Sequence, residues 1–173
     1  MVFHKAPIPH PHFSTMKNCI LCQETGGTLI FENDFIRIIN ANDPHYPGFT
    51  RVILQRHEAE MSDLPLHERQ LLMEYVFLVE QVQRKTLHPD KVNLAQFGTM
   101  VPHIHWHIIP RFKWDLHYPA SVWSTPTREG EDQAYQQALA TQLALTAEYQ
   151  QSLIQELMVF SKNTNKKTTA SLF

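Results

Sequence analysis

Pro102-His103-Ile104-His105-Trp106-His107-Ile108-Ile109-Pro110-Arg111 alternates imidazoles with apolar side chains. Successive side chains of a strand point to opposite faces, so a strand over His103 to Ile109 puts His103, His105 and His107 on one face and Ile104, Trp106 and Ile108 on the other. A core claims the apolar set, which fixes the register and holds the imidazoles outward. Three aligned imidazoles have two chemical uses. They can ligate one metal ion as three donors, or one can attack an electrophile while its neighbour handles protons, since imidazole is a competent nucleophile near neutrality. The stretch alone leaves both open.

Working outward, Val92 to Phe97 reads as a strand joined to the histidine strand at Gly98. Thr28 to Phe31 and Phe35 to Ile39 read as a hairpin about Glu32-Asn33-Asp34. Thr50 to Leu54 follows the loop Asp43-Pro44-His45-Tyr46-Pro47-Gly48. A helix opens at Ser62-Asp63, with Pro65 in its first turn, and runs to about Leu87, where His88-Pro89 ends it. Its face of Leu72, Tyr75, Val76, Val79 and Val82 keeps a helical period and is a core face. Residues 131–160 form a second helix with a weaker stripe of Tyr135, Leu139, Leu143, Leu153 and Leu157. The expected fold is therefore α+β: an antiparallel sheet of about five strands, one long helix and a C-terminal helix. The organisation is an extended arm over 1–16, rich in Pro and His, a domain over 17–125, a C-terminal helical segment over 126–161 and a flexible polar tail over 162–173.

A chain of 173 residues can bury a conventional apolar core, and 43% hydrophobic with 18% charged residues is a globular composition. The formal net charge of -2 provides no electrostatic footprint for a long nucleic acid, whereas a small phosphorylated ligand needs only a locally positive pocket. No apolar run reaches the length of a membrane span, and the first residues lack the apolar centre of a signal peptide, so a cytoplasmic location is expected. Cys19 and Cys22 lie too close in sequence for an ordinary disulfide staple. In a reducing compartment such a pair binds metal or is redox-active, and a redox pair belongs beside a βαβ pattern that this chain lacks.

Taken together, these segments resemble the histidine-triad (HIT) family. Asn93-Leu94-Ala95-Gln96-Phe97-Gly98-Thr99-Met100-Val101-Pro102, followed by the alternating histidines and Ile-Ile-Pro-Arg, is similar to the family signature. Cys19-Ile20-Leu21-Cys22 resembles the opening Cys-x-x-Cys of many members, and Pro47 to His57 resembles the strand that usually reads Gly-His, then apolar residues, then His. The likeness covers about residues 17–125, and Trp114-Asp115 with Tyr118 to Trp123 resembles a bacterial subgroup of diadenosine tetraphosphate hydrolases.

The resemblance implies a nucleotide hydrolase or nucleotidyl transferase acting at an α-phosphate. His105 would be the nucleophile that forms a covalent nucleotidyl-histidine, and His107 would hydrogen-bond the phosphate and stabilise developing charge. Asn93 and Thr99 match substrate-contacting positions, and Asn42 lies near the position of the family's ribose-binding acid. The likeness also implies a structural zinc on Cys19, Cys22, His57 and His103, no catalytic cofactor, and a homodimer. His103 would then have to lean away from the other two histidines, and its place beside Pro102 could permit this.

Three departures bear on the substrate. Phe49 stands where many members have a histidine, with His45 as a candidate substitute; Met100 replaces a small hydroxyl residue that contacts phosphate; and the segment from Asn93 to His103 is one residue shorter than in eukaryotic members. Two rival readings remain open. One is a metal-dependent hydrolase with His103, His105 and His107 as ligands, which leaves the cysteines unexplained. The other is a non-catalytic module that binds nucleotide or zinc, which has no chemical need of an intact triad.

Overall fold

The computed structural model describes residues 18–170. The arm expected over 1–16 lies outside the described residues. Five antiparallel strands form one sheet in the order β1-β2-β3-β5-β4: β1 Thr28–Glu32, β2 Ile36–Asn40, β3 Thr50–Leu54, β4 Lys91–Gln96 and β5 His105–Arg111. The turn between β1 and β2 is closed by Asn33, whose side-chain oxygen accepts from the amides of Phe35 and Ile36. This is an Asx turn, in which the side chain does the work of a backbone acceptor. Gly48 sets the entry to β3 at φ +83, and a Cβ there would lie 2.4 Å from the side chain of Leu87. Only glycine satisfies both conditions.

One sheet face carries Ile36, Ile38, Val52, Leu54 and Ile108 into the main core. It packs against α2 (Leu66–Thr86), which follows a short α1 (Ile20–Gln23), and against α4 (Thr146–Ala170). The helical stripe read from sequence is the buried face of α2: Leu72, Tyr75, Val76, Val79 and Val82 are all buried. Pro65 caps this helix instead of lying in its first turn, and Met61–Asp63 forms a separate 3-10 turn ahead of it. Buried polar side chains bind layer to layer. Gln83 Nε2 of α2 donates to the carbonyls of Gly48 and Ile108, and the Tyr149 hydroxyl of α4 lies 2.6 Å from Thr50 Oγ1.

The segment read as one C-terminal helix is two, α3 (Gln133–Ala144) and α4, broken at Leu145. Asp132 caps α3 by accepting from the Ala134 amide, an ordinary N-cap. Backbone helix continues to Ala170, through most of the stretch expected as a tail from 162. Among the described residues, no helix is long and apolar enough to cross a membrane.

Candidate functional site

The sheet face opposite the helices carries the site. Register sets it: Ile53 pairs with His105, and Arg51 pairs with His107, across the β3–β5 ladder. Ala95 pairs with His107 and Asn93 with Ile109 on the other flank. His105 and His107 therefore project from a central strand and are almost fully buried. The alternation expected for His105 to Ile109 is present.

His103 breaks the alternation. β5 begins at His105, and the preceding loop turns the His103 ring to Cys19 Sγ (3.4 Å) and Cys22 Sγ (3.5 Å) through Nδ1. Its Nε2 donates to the Leu54 carbonyl at 2.7 Å, which leaves Nδ1 as the free lone pair. His57 Nδ1 lies 3.4 Å from Cys22 Sγ. One ligand atom from each of these four residues lies within 4.8 Å of the others. A tetrahedral ion with ordinary Zn–S and Zn–N bonds has S···N edges of about 3.5 Å, so the donor set fits zinc in both chemistry and spacing. Burial, then neighbouring charge from His57, Arg37 and His105, pushes His103 down to about 4 despite the Leu54 hydrogen bond, so its ring is neutral and ready to ligate. The fixed second nitrogen is the usual outer support of a metal-bound imidazole.

Arg37, which the sequence reading passed over, fastens the cysteine-bearing segment to the sheet. Its guanidinium donates to the carbonyls of Leu21, Glu24 and Thr25 and to Gln55 Oε1. The carbonyls at the end of α1 would otherwise lack partners. An arginine in the middle of an apolar strand is the signal that could have marked it.

His105 has its own constraint. Its Nδ1–H donates to the His103 carbonyl at 2.6 Å, which fixes the tautomer and leaves the Nε2 lone pair free. Burial, and less strongly Arg51, lowers its pKa below the ordinary imidazole value, so the ring is neutral at pH 7. His107 is pushed down to about 3 by burial, then by His105 and Arg51. The two rings meet edge to face with centroids 4.9 Å apart, and His107 Nδ1 has no hydrogen-bond partner among the described residues. The three histidines thus divide between two sites, which removes the geometric basis for a three-histidine metal centre.

A cavity of about 670 Å³ opens over these rings. That is ample for a nucleotide. Thr99 lines it with Phe97, Met100, Arg51, Ser121 and Trp123. Its mouth is apolar and accessible: Ile20, Phe97, Met100 and Trp123 are all exposed, and Trp123 packs edge-on against Phe97 and His107. Asn93 shares the triad face, but its side-chain oxygen accepts from Arg111 Nη1 at 2.7 Å and it is not part of the cavity wall. Asn42, at φ +56, accepts from Thr28 Oγ1 and also lies off that wall. Phe49 is buried with its ring 5.6 Å from that of His107. His45 does not take over the missing histidine's place; its Nδ1 is 2.9 Å from the Tyr135 hydroxyl.

Arg111, the close of the quoted stretch, forms a buried pair with Asp115 (2.8 and 3.1 Å) and donates to the Ala120 carbonyl. It thereby anchors the loop that brings Ser121 and Trp123 to the cavity. Burial alone would raise the Asp115 carboxyl, but the Arg111 guanidinium and the amides of His117 and Phe112 outweigh it and hold the pKa below the usual value.

Comparison with known proteins agrees with the fold. A model of the HIT domain matches residues 23–114, more than half of the chain. A bis(5'-nucleosyl)-tetraphosphatase (asymmetrical) of Schizosaccharomyces pombe is 37% identical over 78 residues, or 42% of this chain and 43% of that protein. The chain thus matches under half the length of this curated relative. Among solved structures, a histidine triad protein from Marinobacter aquaeolei VT8 superposes with a TM-score of 0.58 at 22% identity, over 77% of this chain and 92% of that one. Another, from Sinorhizobium meliloti 1021, gives a TM-score of 0.56 at 23% identity, over 75% and 97%. At these identities the structural likeness is one of fold.

Proposed function

The chain belongs to the HIT domain family, and from that premise we propose that it is a nucleotide hydrolase in which His105 attacks the α-phosphorus of a nucleoside polyphosphate. The observation that carries this reading is the His105 imidazole: neutral, buried, fixed by its Nδ1–H on the His103 carbonyl, and set at the wall of a nucleotide-sized cavity. A nucleophilic imidazole needs those conditions.

In the first step Nε2 of His105 forms a bond to the α-phosphorus, and the bond from phosphorus to the leaving oxygen breaks. The leaving group departs with the electron pair and is protonated from solvent. Water then attacks the nucleotidyl-histidine; the P–N bond breaks, the nucleoside monophosphate takes the hydroxyl, and the released proton goes to solvent. His107 lies beside His105 and donates a hydrogen bond to a phosphoryl oxygen as negative charge develops. Thr99, on the cavity wall, supplies a hydroxyl to the same phosphate region. Asn93 and Asn42 contribute to substrate binding by supporting the strand and loop that border the pocket.

Cys19, Cys22, His57 and His103 hold a structural zinc in this reading, with all four positions taken by protein and no catalytic step assigned to it. Two free thiols suit a cytoplasmic setting. The family resemblance makes a homodimer the expected assembly.

The test is hydrolysis of diadenosine tetraphosphate and of adenosine phosphoramidate by the wild-type protein and His105→Ala. Rapid acid quench followed by intact-mass measurement should catch a wild-type protein heavier by one nucleotidyl group. Turnover that persists in His105→Ala would sink the covalent reading.

A further inference from the structure

Arg51 is a cation inside the pocket that the fold does not use. It is the second residue of β3, on the histidine face, half-buried, and lines the cavity together with both reactive histidines. Among the described residues its hydrogen bonding is meagre: Nη1 reaches the Gly26 carbonyl at 3.5 Å, the buried Nε has no partner, and no ion pair forms. The guanidinium carbon lies over the Phe49 ring, 5.5 Å from its centroid. By contrast, Arg37 and Arg111, on the same sheet face, are each tied to several protein acceptors. Partial desolvation of an unpaired guanidinium is costly, and an anion that replaces the lost water recovers that cost. Glu24 also borders the cavity but is exposed and makes no ion pair with Arg51.

The register gives this cation a direction. Ile53 pairs with the nucleophile His105, whereas Arg51 pairs with His107, one step further along the strands. In-line displacement at phosphorus puts the leaving oxygen on the side away from the attacking nitrogen. A guanidinium set one ladder pair from the nucleophile, on the wall of the same cavity, is available to the phosphates that follow the one under attack.

We propose that Arg51 is a specificity-determining residue that binds the β-phosphate and beyond, and so selects anionic polyphosphate leaving groups over neutral amines. This rests on the hydrolase reading above. A guanidinium offers two parallel N–H donors to a phosphate, which a substrate with only an α-phosphate and an amine leaving group cannot use. The Phe49 ring lies under the guanidinium and supports its inner face.

The experiment compares wild type with Arg51→Met and Arg51→Lys, in the full chain, with two readouts. In turnover, Arg51→Met should lower kcat/KM for diadenosine tetraphosphate about 100-fold while changing that for adenosine phosphoramidate by less than about 5-fold, with Arg51→Lys in between. In equilibrium binding to proteins that also carry His105→Ala, Arg51→Met should weaken ATP by about 30-fold and AMP hardly at all. Equal losses for both substrates, or for ATP and AMP, would overturn the assignment and mark Arg51 as structural or α-phosphate-directed. So would an Arg51→Met protein that behaves as wild type. If wild type turns over tetraphosphate but Arg51 does not discriminate, only this inference fails. If wild type binds no adenine nucleotide, the hydrolase reading fails, and this one with it.

Discussion

His103 and His105 are two residues apart and do opposite things. His103 spends Nε2 on the Leu54 carbonyl and turns Nδ1 to two thiols. His105 spends Nδ1 on the His103 carbonyl and keeps Nε2 free toward the cavity. In the proposed reading, the nitrogen that the backbone occupies decides whether an imidazole serves as ligand or as nucleophile. The two corners also share a bond, since the carbonyl that orients His105 belongs to the residue that faces the thiols. The comparison predicts that damage to one corner reads out as chemistry and damage to the other as stability.

The largest effect belongs to the reactive corner. His105→Ala should lower kcat for diadenosine tetraphosphate by about 10⁴-fold or more, as expected for removal of a covalent nucleophile. The melting temperature should stay within a few degrees of wild type, because among the described residues this ring's hydrogen bond goes to a backbone carbonyl and no side chain depends on it. A large fall in melting temperature would show that the two corners are one structural unit.

Cys19→Ser should act the other way. We expect it to lose tightly bound zinc and about 4–5 kcal/mol of stability, the scale of losing a metal site. At a temperature where it stays folded, its turnover should fall far less than that of His105→Ala. Metal content and thermal melts of the two variants check this together. Brief chelation of wild type should leave turnover intact, and prolonged chelation should lower the melting temperature. Immediate, reversible loss of turnover with the fold intact would break the division between corners.

The reactive corner has a support of its own in Arg111. Arg111→Met leaves Asp115 buried without its guanidinium partner and frees the Ala120 carbonyl, and should cost about 3 kcal/mol. Turnover should fall as well, because the loop that carries Ser121 and Trp123 loses its anchor. The same pair predicts an acid limit. With its pKa held below the unfolded value, Asp115 contributes stability that is full above the ordinary carboxyl range and is lost as pH falls through its depressed native value. Urea unfolding of wild type and Arg111→Met should therefore converge at low pH. Parallel curves would contradict that linkage.

Much of this was legible in sequence because it rests on period and punctuation. The five strands and the long helix followed from alternation, a helical stripe and Pro-Gly loops, and four proposed zinc ligands meet in space as the resemblance implied. What escaped depended on long-range partners. Period two cannot show that the strand starts at His105 and frees His103, although Pro102 hints at it. No glycine or proline marks the break at Leu145 between α3 and α4. Arg51 drew no reading from sequence, because nothing local reveals that its face borders the histidine strand. Asn93 and Asn42 carry protein hydrogen bonds that no motif displays.

The smallest effect probes the edge of the reactive corner. Phe49 packs with Tyr46 and Ile109, and its ring lies near both Arg51 and His107, whose Nδ1 lacks a partner. Phe49→His trades apolar burial for an imidazole near the His107 ring. The two changes oppose each other: lost packing costs about 1 kcal/mol, and a hydrogen bond to His107 recovers part of it. We therefore expect kcat/KM for diadenosine tetraphosphate within about tenfold of wild type. A hundredfold gain would mean that the family histidine is a working part this chain lacks. A hundredfold loss would mean that the phenyl ring itself, by holding Arg51 across the cavity, belongs to the substrate wall.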